Sequence, residues 1–357
     1  MFIVDAHLDL AYSALRYGRD LTQDVETVRQ SESRQRRHPN GVITTTIPDL
    51  LEGKIGLVFG TLFVMPESGN RSEPDNLRLV YSDRDGAYRA AGKELDYYHR
   101  LADEVERVRI VDDLDGLEEV VASHKDGETP LLGIVPLMEG ADPIRAPEEV
   151  EEWYERGVRI VGPAWDDTQY AAGAWRGRGG FTHEGRELME IMADLGMILD
   201  ITHLSEEASL EALERYEGAI VATHANARAL VPGARQLDDN QLRRLAERDG
   251  VVGIVLYNRF LKKGYTPSDP KESVTVDDVV AHIDHVCQLL GDANHVGIGS
   301  DLDGGFGYED IPAEIDTAAD LAKIAPALRE RGYDEEAVAN VMGENWLRRL
   351  RTAFSED

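Results

Sequence analysis

The chain has 357 residues, 42% of them apolar and 30% charged, with a formal net charge of −30. There is enough apolar sequence for a sizeable core, so disorder is excluded, and the acid excess excludes phosphate-backbone binding, which needs surplus Lys and Arg. No apolar run approaches the roughly 18 residues of a membrane span. The acidity reads as a solvated surface. One cysteine, Cys287, can make no internal disulfide, and strand-like sequence begins at Phe2 with no charged-then-apolar leader, so the expected compartment is the cytoplasm.

Short β-branched or apolar runs bounded by turn residues predict eight strands. They are Phe2–Asp5, Ile55–Val64, Leu132–Met138, Val158–Ala164, Met197–Ile201, Ala219–Thr223, Val251–Tyr257 and His295–Ser300. Most are near-continuous apolar stretches, as parallel strands covered on both faces require. Helical spacing fills the gaps at Asp85–Glu104, Glu184–Leu195 after a Thr182 cap, Glu206–Tyr216 after a Ser205 cap, Leu237–Arg248, Val276–Leu290 and Thr317–Arg331. A last helix, Glu335–Thr352, contains Gly343. Eight alternating strands and helices predict an α/β fold, a (β/α)8 TIM barrel. A doubly wound sheet is the alternative, but neither glycine-rich phosphate motif occurs. Residues 1–357 are expected to form one domain, with a polar, Arg-rich excursion at about 13–51 after the first strand.

Barrel enzymes place their chemistry at the carboxyl ends of the strands. Strand one leads into His7 and Asp9, whose i, i+2 spacing sends both to one side. Strand three ends at Glu139, strand five at Thr202-His203, strand six at Thr223-His224 and strand eight at Ser300-Asp301-Leu302-Asp303. Packing alone does not end apolar strands repeatedly in His or acid, because buried polar groups need partners. Three imidazoles and two or three carboxylates exceed the needs of one structural zinc. They suit two catalytic cations roughly 3.5–4 Å apart that share a carboxylate and a water. One arrangement gives His7 and Asp9 to the first ion and His203 and His224 to the second. Glu139 bridges them, and Asp301 remains as acid/base. No lysine stands at a strand end to serve as a bridge.

The other histidines carry less. His38 and His124 fall in polar, loop-like stretches. His282 and His285 share a helical face at a spacing that can bind metal, but no strand end lies beside them. His295 opens strand eight at the wrong end. Asp200 is either a partner of a ligand or the cap of a local turn.

The motifs Val4-Asp5-Ala6-His7-Leu8-Asp9-Leu10, Met138-Glu139-Gly140, Leu195 to His203, Thr223-His224-Ala225-Asn226-Ala227-Arg228, Arg235 ahead of Asp238-Asp239, His295 to Gly304 and Gly343-Glu344-Asn345-Trp346 resemble the membrane (renal-type) dipeptidase family, peptidase family M19. Order and spacing agree over nearly the whole chain. The resemblance implies two divalent metal ions, most simply Zn²⁺, held by His7, Asp9, Glu139, His203 and His224. It makes Asp301 the catalytic acid/base and Arg235 the anchor of the substrate's terminal carboxylate, for which a planar guanidinium is well shaped. It also implies a homodimer. One position departs: Trp165 stands where the family often has a histidine that contacts the substrate carbonyl. Indole brings more bulk and a single N–H donor.

These readings converge on hydrolysis of a dipeptide, one that can carry a D-residue at its C-terminal position, through a metal-bridging hydroxide. Two rivals remain. The same centre can act on a lactam, an N-acyl amino acid or a phosphoester, which Trp165 favours; or the barrel binds a small ligand without catalysis. Imidazole and carboxylate donors also accept manganese, cobalt or iron.

Overall fold

The computed structural model describes residues 1–32, 40–67, 80–126, 129–175 and 178–355. Its centre is a ring of parallel strands: β1 (Ile3–Leu8), β2 (Ile55–Phe63), β3 (Leu132–Glu139), β4 (Ile160–Gly162), β5 (Ile198–Asp200), β6 (Ile220–Val221), β7 (Val252–Ile254) and β8 (Val296–Ile298). Pairing runs β7-β8-β1-β2-β3-β4-β5-β6. A parallel bridge between Ala222 and Val252 brings the two ends together, with Gly253 N–H donating to Ala222 O at 2.8 Å. The result is the expected (β/α)8 barrel, nearly closed. Every residue of these eight strands is buried, which is why they read as apolar runs without alternation.

Helices cover the outside where the spacing predicted them: Arg84–Glu104, His183–Asp194, Glu206–Arg215, Asp239–Glu247 and Val276–Leu290. The predicted caps form. Thr182 accepts from Gly185 N–H at 3.0 Å and Ser205 from Ala208 N–H at 3.1 Å. The final segment is one run in three pieces, α over Glu335–Ala339, π over Asn340–Glu344 and α again over Asn345–Phe354. The wide turn falls at Gly343, where any Cβ would lie 2.8 Å from the Phe2 carbonyl oxygen. Trp346 from this helix is fully buried and packs edge-on against Phe59 of β2.

Several boundaries differ from expectation. β1 continues past Asp5 to Leu8, so His7 lies within the strand. The reason is that its polar residues are paired: Ser300 donates N–H and Oγ–H to the Asp5 carboxylate. Between the pairs Asp5–Val58 and Leu8–Gly60, β1 carries one residue more than β2. Such a bulge re-aims side chains at a barrel rim, and this one lies where His7 turns to the site. A strand not anticipated, Val108–Ile110, pairs with the amino half of β3 on the edge that β4 takes higher up. The segment expected as an excursion contains helices Leu10–Tyr17, Val25–Glu32 and Ile47–Glu52. Leu21, Val25, Ile43 and Ile47 join the core. Residues 33–39 of the excursion, His38 among them, lie outside the described residues.

Candidate active site

All eight sequence-predicted site residues lie at the carboxyl ends of the strands. His7 is the next-to-last residue of β1 and Asp9 follows it; Glu139 closes β3. His203, His224 and Asp301 each come three residues after β5, β6 and β8 end. Glu139 is central. Its carboxylate lies 2.9 Å from His203 Nε2, 3.5 Å from His224 Nε2 and 3.6 Å from His7 Nε2. His7 Nε2 also lies 3.9 Å from Asp9 and 4.0 Å from Asp301. Two overlapping groups of potential ligand atoms result, His7–Glu139–His224 and His7–Asp9–Asp301. The expected division gave His7 to one ion and His224 to the other; here His7 sits between both groups, and His203 reaches Glu139 from the side.

The clustered residues are held from behind. Thr61 of β2 donates its hydroxyl to Asp9 Oδ1. Asp200, at the end of β5, accepts from Thr202 N–H at 3.0 Å and from Thr223 Oγ1–H at 2.6 Å. Arg235 is buried and spans the two histidine loops, its Nη1 donating to Thr202 O at 2.7 Å and Nη2 to His224 O at 3.2 Å. Its Nε has no hydrogen-bond partner, while the guanidinium lines the same cavity as His203, His224 and Asp301. Asp301 adopts a left-handed backbone, φ +58°, a conformation short polar residues tolerate best after glycine. Gly304 makes room for it, since a Cβ there would fall 1.8 Å from Asp301 Oδ1.

Asp303, from the same tetrapeptide as Asp301, serves another purpose. It accepts from Thr44 N–H at 3.1 Å and Thr45 N–H at 3.0 Å, and Arg19 lies 3.8 Å away. It therefore ties the segment after β1 to the barrel mouth. Of the histidines set aside in the sequence, His282, His285, His295 and His124 make structural contacts. His282 accepts from Ala227 N–H, His285 meets Asp239, and His295 contacts Gly250 O. His124 closes the helix Leu114–Asp126 and reaches Leu131 O.

Burial and crowding shift every ionisable group here. Burial opposes a charge on His7, yet Glu139, Asp301 and Asp9 pull its pKa up to about 10. Burial, with Glu139 beside it, pushes Asp9 up to about 6. Asp301 is raised well above the usual carboxylate range by burial, with Asp9 and Glu139 adding to it. Glu139 is driven down, against its burial, by His7 and His203. His203 falls to about 4 through burial and Arg235, and His224 is held well below the usual imidazole range by burial and His7. Three carboxylates thus converge and draw a proton onto one imidazole, which is the charge demand that a cation satisfies.

Glu94 was missed in the sequence. It lies on the helix Arg84–Glu104 between the buried Ala91, Leu95 and Tyr98, and is itself fully buried. Its carboxyl makes no well-formed hydrogen bond, and burial followed by the Asp9 charge raises its pKa well above normal. The signal was an acid on an apolar stripe.

The cavity above these groups encloses about 200 Å³. Aromatic rings line it: Tyr12, Phe63 and Trp165 in one group, Tyr257, Phe260 and Phe306 in another. Trp165 packs 5.2 Å from Phe63 and 6.2 Å from His203, centroid to centroid. Tyr257 and Phe306 stack at 4.5 Å. Among the described residues no helix is long and apolar enough to cross a membrane.

A nearly closed parallel barrel with histidines and carboxylates gathered at its carboxyl face defines the class of metal-dependent barrel hydrolases. The sequence model of the membrane dipeptidase family, peptidase family M19, matches residues 1–356, and the chain belongs to that family. The crystal structure of dipeptidase AC, a metallopeptidase of family M19, is 25% identical and superposes with a TM-score of 0.80 over 99% of each chain. A metallopeptidase from Rhodobacter sphaeroides, solved with a phosphinate mimic of the dipeptide L-Ala-D-Ala, is 24% identical with a TM-score of 0.79, covering 98% of this chain and 99% of that one. In sequence, an uncharacterised protein of Klebsiella pneumoniae is 31% identical over 64% of this chain and 85% of its own length. The dipeptidase tcpJ of Claviceps purpurea is 34% identical over 48% of this chain and 38% of its own.

Proposed function

We propose that this chain hydrolyses the peptide bond of small dipeptides at a centre of two divalent cations held by His7, Asp9, Glu139, His203 and His224. The observation that carries the reading is the convergence of three imidazoles and three carboxylates in overlapping groups around His7 and Glu139, within a chain of family M19. The donor set fits metal. His7 Nε2 is buried with no hydrogen-bond partner, and the Nε2 atoms of His203 and His224 stand 2.9 Å apart, both beside the same carboxylate. When bound, a pair of Zn²⁺ ions would polarise the scissile carbonyl and lower the pKa of a shared water.

The protein's own residues supply the remainder. Asp301 takes the proton of the attacking water and returns it to the leaving amine. Arg235 holds the terminal carboxylate, its unpartnered Nε free for it, and so excludes peptides whose carboxylate lies further away. Trp165 offers an apolar face to the substrate, and with Phe63 it shields the reacting centre from water. The chain acts as one domain over residues 1–357, as a homodimer by family resemblance, in the cytoplasm, where the buried free Cys287 stays reduced.

A second reading keeps the centre and changes the substrate to a lactam, an N-acyl amino acid or a phosphoester; indole in place of the expected imidazole favours it. Metal analysis with a substrate panel tests both. The panel contains L,L- and L,D-dipeptides, their C-terminal amides and the rival compounds. Turnover highest for dipeptides with a free carboxylate, at about two Zn²⁺ per chain, is the expected result. Less than one ion per chain after reconstitution, or preference for a rival substrate, refutes the reading.

A further inference from the structure

We propose that Thr223 and Asp200 form a positioning relay that fixes His7 and His224, one ligand from each expected half of the centre, in the tautomer that presents Nε2 to a cation. The inference rests on the metal reading above and adds residues that bind no metal themselves.

Thr223 Oγ1 lies 2.6 Å from Asp200 Oδ2, 3.0 Å from His224 Nδ1 and 3.4 Å from His7 Nδ1. A hydroxyl has one hydrogen and two lone pairs. Asp200 faces donors only: Thr202 N–H at 3.0 Å, Thr202 Oγ1–H at 2.5 Å, Thr223 N–H at 3.0 Å and the Thr223 hydroxyl. The Thr223 hydrogen therefore goes to Asp200, and both lone pairs remain for donors. Thr202 Oγ1 also lies 3.3 Å from Thr223 Oγ1, but its own hydrogen goes to Asp200 Oδ1, so the remaining donors are Nδ1 of His224 and His7. With a cation in place, each ring would then keep its hydrogen on Nδ1 and present an unprotonated Nε2 on the side of Glu139, which lies 3.5 and 3.6 Å away.

The fold places these residues. Asp200 and Val221 are register partners on neighbouring strands, which brings Thr223 over the Asp200 carboxylate. Thr223 is β-branched, so its hydroxyl has few rotamers to visit. Asp200 is 2% exposed and Thr223 fully buried, so water cannot replace a lost partner cheaply. His203 lacks such support: its Nδ1 has no hydrogen-bond partner. The relay thus acts on particular ligands and is not a general feature of the rim.

The test compares wild type, Thr223→Val and Thr223→Ser as full-length, metal-free chains. Zn²⁺ affinity is read by competition with a chromophoric chelator, and the thermal midpoint of the metal-free chain is followed in parallel. Valine is expected to weaken Zn²⁺ binding by about 10–100-fold, the usual effect of losing an outer partner. Serine should restore affinity to within about threefold. Wild-type affinity in the valine chain overturns the relay, as does a serine chain no better than valine, or a fall in midpoint with affinity unchanged. A wild-type chain that binds no Zn²⁺ overturns the metal reading and the relay together, so the two failures are distinct. One measurement needs no variant: ¹⁵N–¹H correlations of the Zn²⁺-loaded wild-type imidazoles. Nδ1–H on both His7 and His224 is expected, and Nε2–H on either overturns the proposal.

Discussion

Replacing Asp301 by Asn separates chemistry from architecture with little disturbance. The residue sits at φ +58°, where Asn is among the few side chains that keep the backbone without strain. The carboxamide has the size of the carboxyl, so the space left by Gly304 still suffices. Asp301 Oδ1 is 4.0 Å from His7 Nε2, and the expected ligands do not include it, so Zn²⁺ should remain near two per chain. What is lost is proton transfer, worth about 10²–10⁴ in rate, or about 2.7–5.4 kcal/mol at 1.36 kcal/mol per decade. The metal-free fold should not suffer, because burial with Asp9 and Glu139 nearby already disfavours a charge at this position. The assay is kcat for a dipeptide, with metal analysis and a thermal melt on the same preparation. A kcat within tenfold of wild type refutes the acid/base role. Loss of one ion refutes the division between ligands and acid/base.

Three further outcomes are expected. Arg235→Lys keeps a charge but loses the fork that spans Thr202 O and His224 O; KM for dipeptides should rise about 10–100-fold, as loss of a charged hydrogen bond implies, while C-terminal amides change little. Zn²⁺ binding should release at least one proton per chain at neutral pH, because the metal-free site holds one on His7, whose pKa stands at about 10. Affinity then rises with pH and is lost as pH falls, and calorimetry in buffers of different ionisation enthalpy counts the protons; zero release contradicts the argument. Glu94→Gln should flatten the pH dependence of stability. A carboxyl whose folded pKa lies above its unfolded value destabilises once the unfolded chain ionises, by up to about 1.4 kcal/mol per pH unit above roughly pH 4.5, until the folded pKa is reached. Urea melts of metal-free wild type and variant at pH 5 and 7 should diverge by that mechanism; parallel curves argue against it.

The barrel was legible because its strands are buried on both faces and so spell short apolar runs, and because helical caps such as Thr182 and Ser205 are local signals. The strand Val108–Ile110 was not legible: three residues between two helices show no period. The end of β1 was misread because Asp5 and His7 look like a strand's polar finish, and the partner that holds Asp5 in the sheet, Ser300, is 295 residues away. Arg235 was placed by family resemblance alone; a loop arginine with no periodic neighbours carries no signal of its burial against Thr202 and His224.

By itself the sequence determined which residues stand at strand ends, since the run of eight strands and the type of residue that closes each are local properties. It placed His7, Asp9, Glu139, His203, His224 and Asp301 at one face on that basis. Tertiary structure decided what each does there. Asp301 and Asp303 are two residues apart with similar left-handed backbones, yet one faces the cluster of histidines and carboxylates and the other fastens Thr44 and Thr45. Thr223 gains its place because β5 and β6 lie side by side and β1 brings His7 within reach of the same hydroxyl. Hydrogen-bond partners and desolvation depend on what other strands deliver to a point in space, and no local stretch of sequence carries that information.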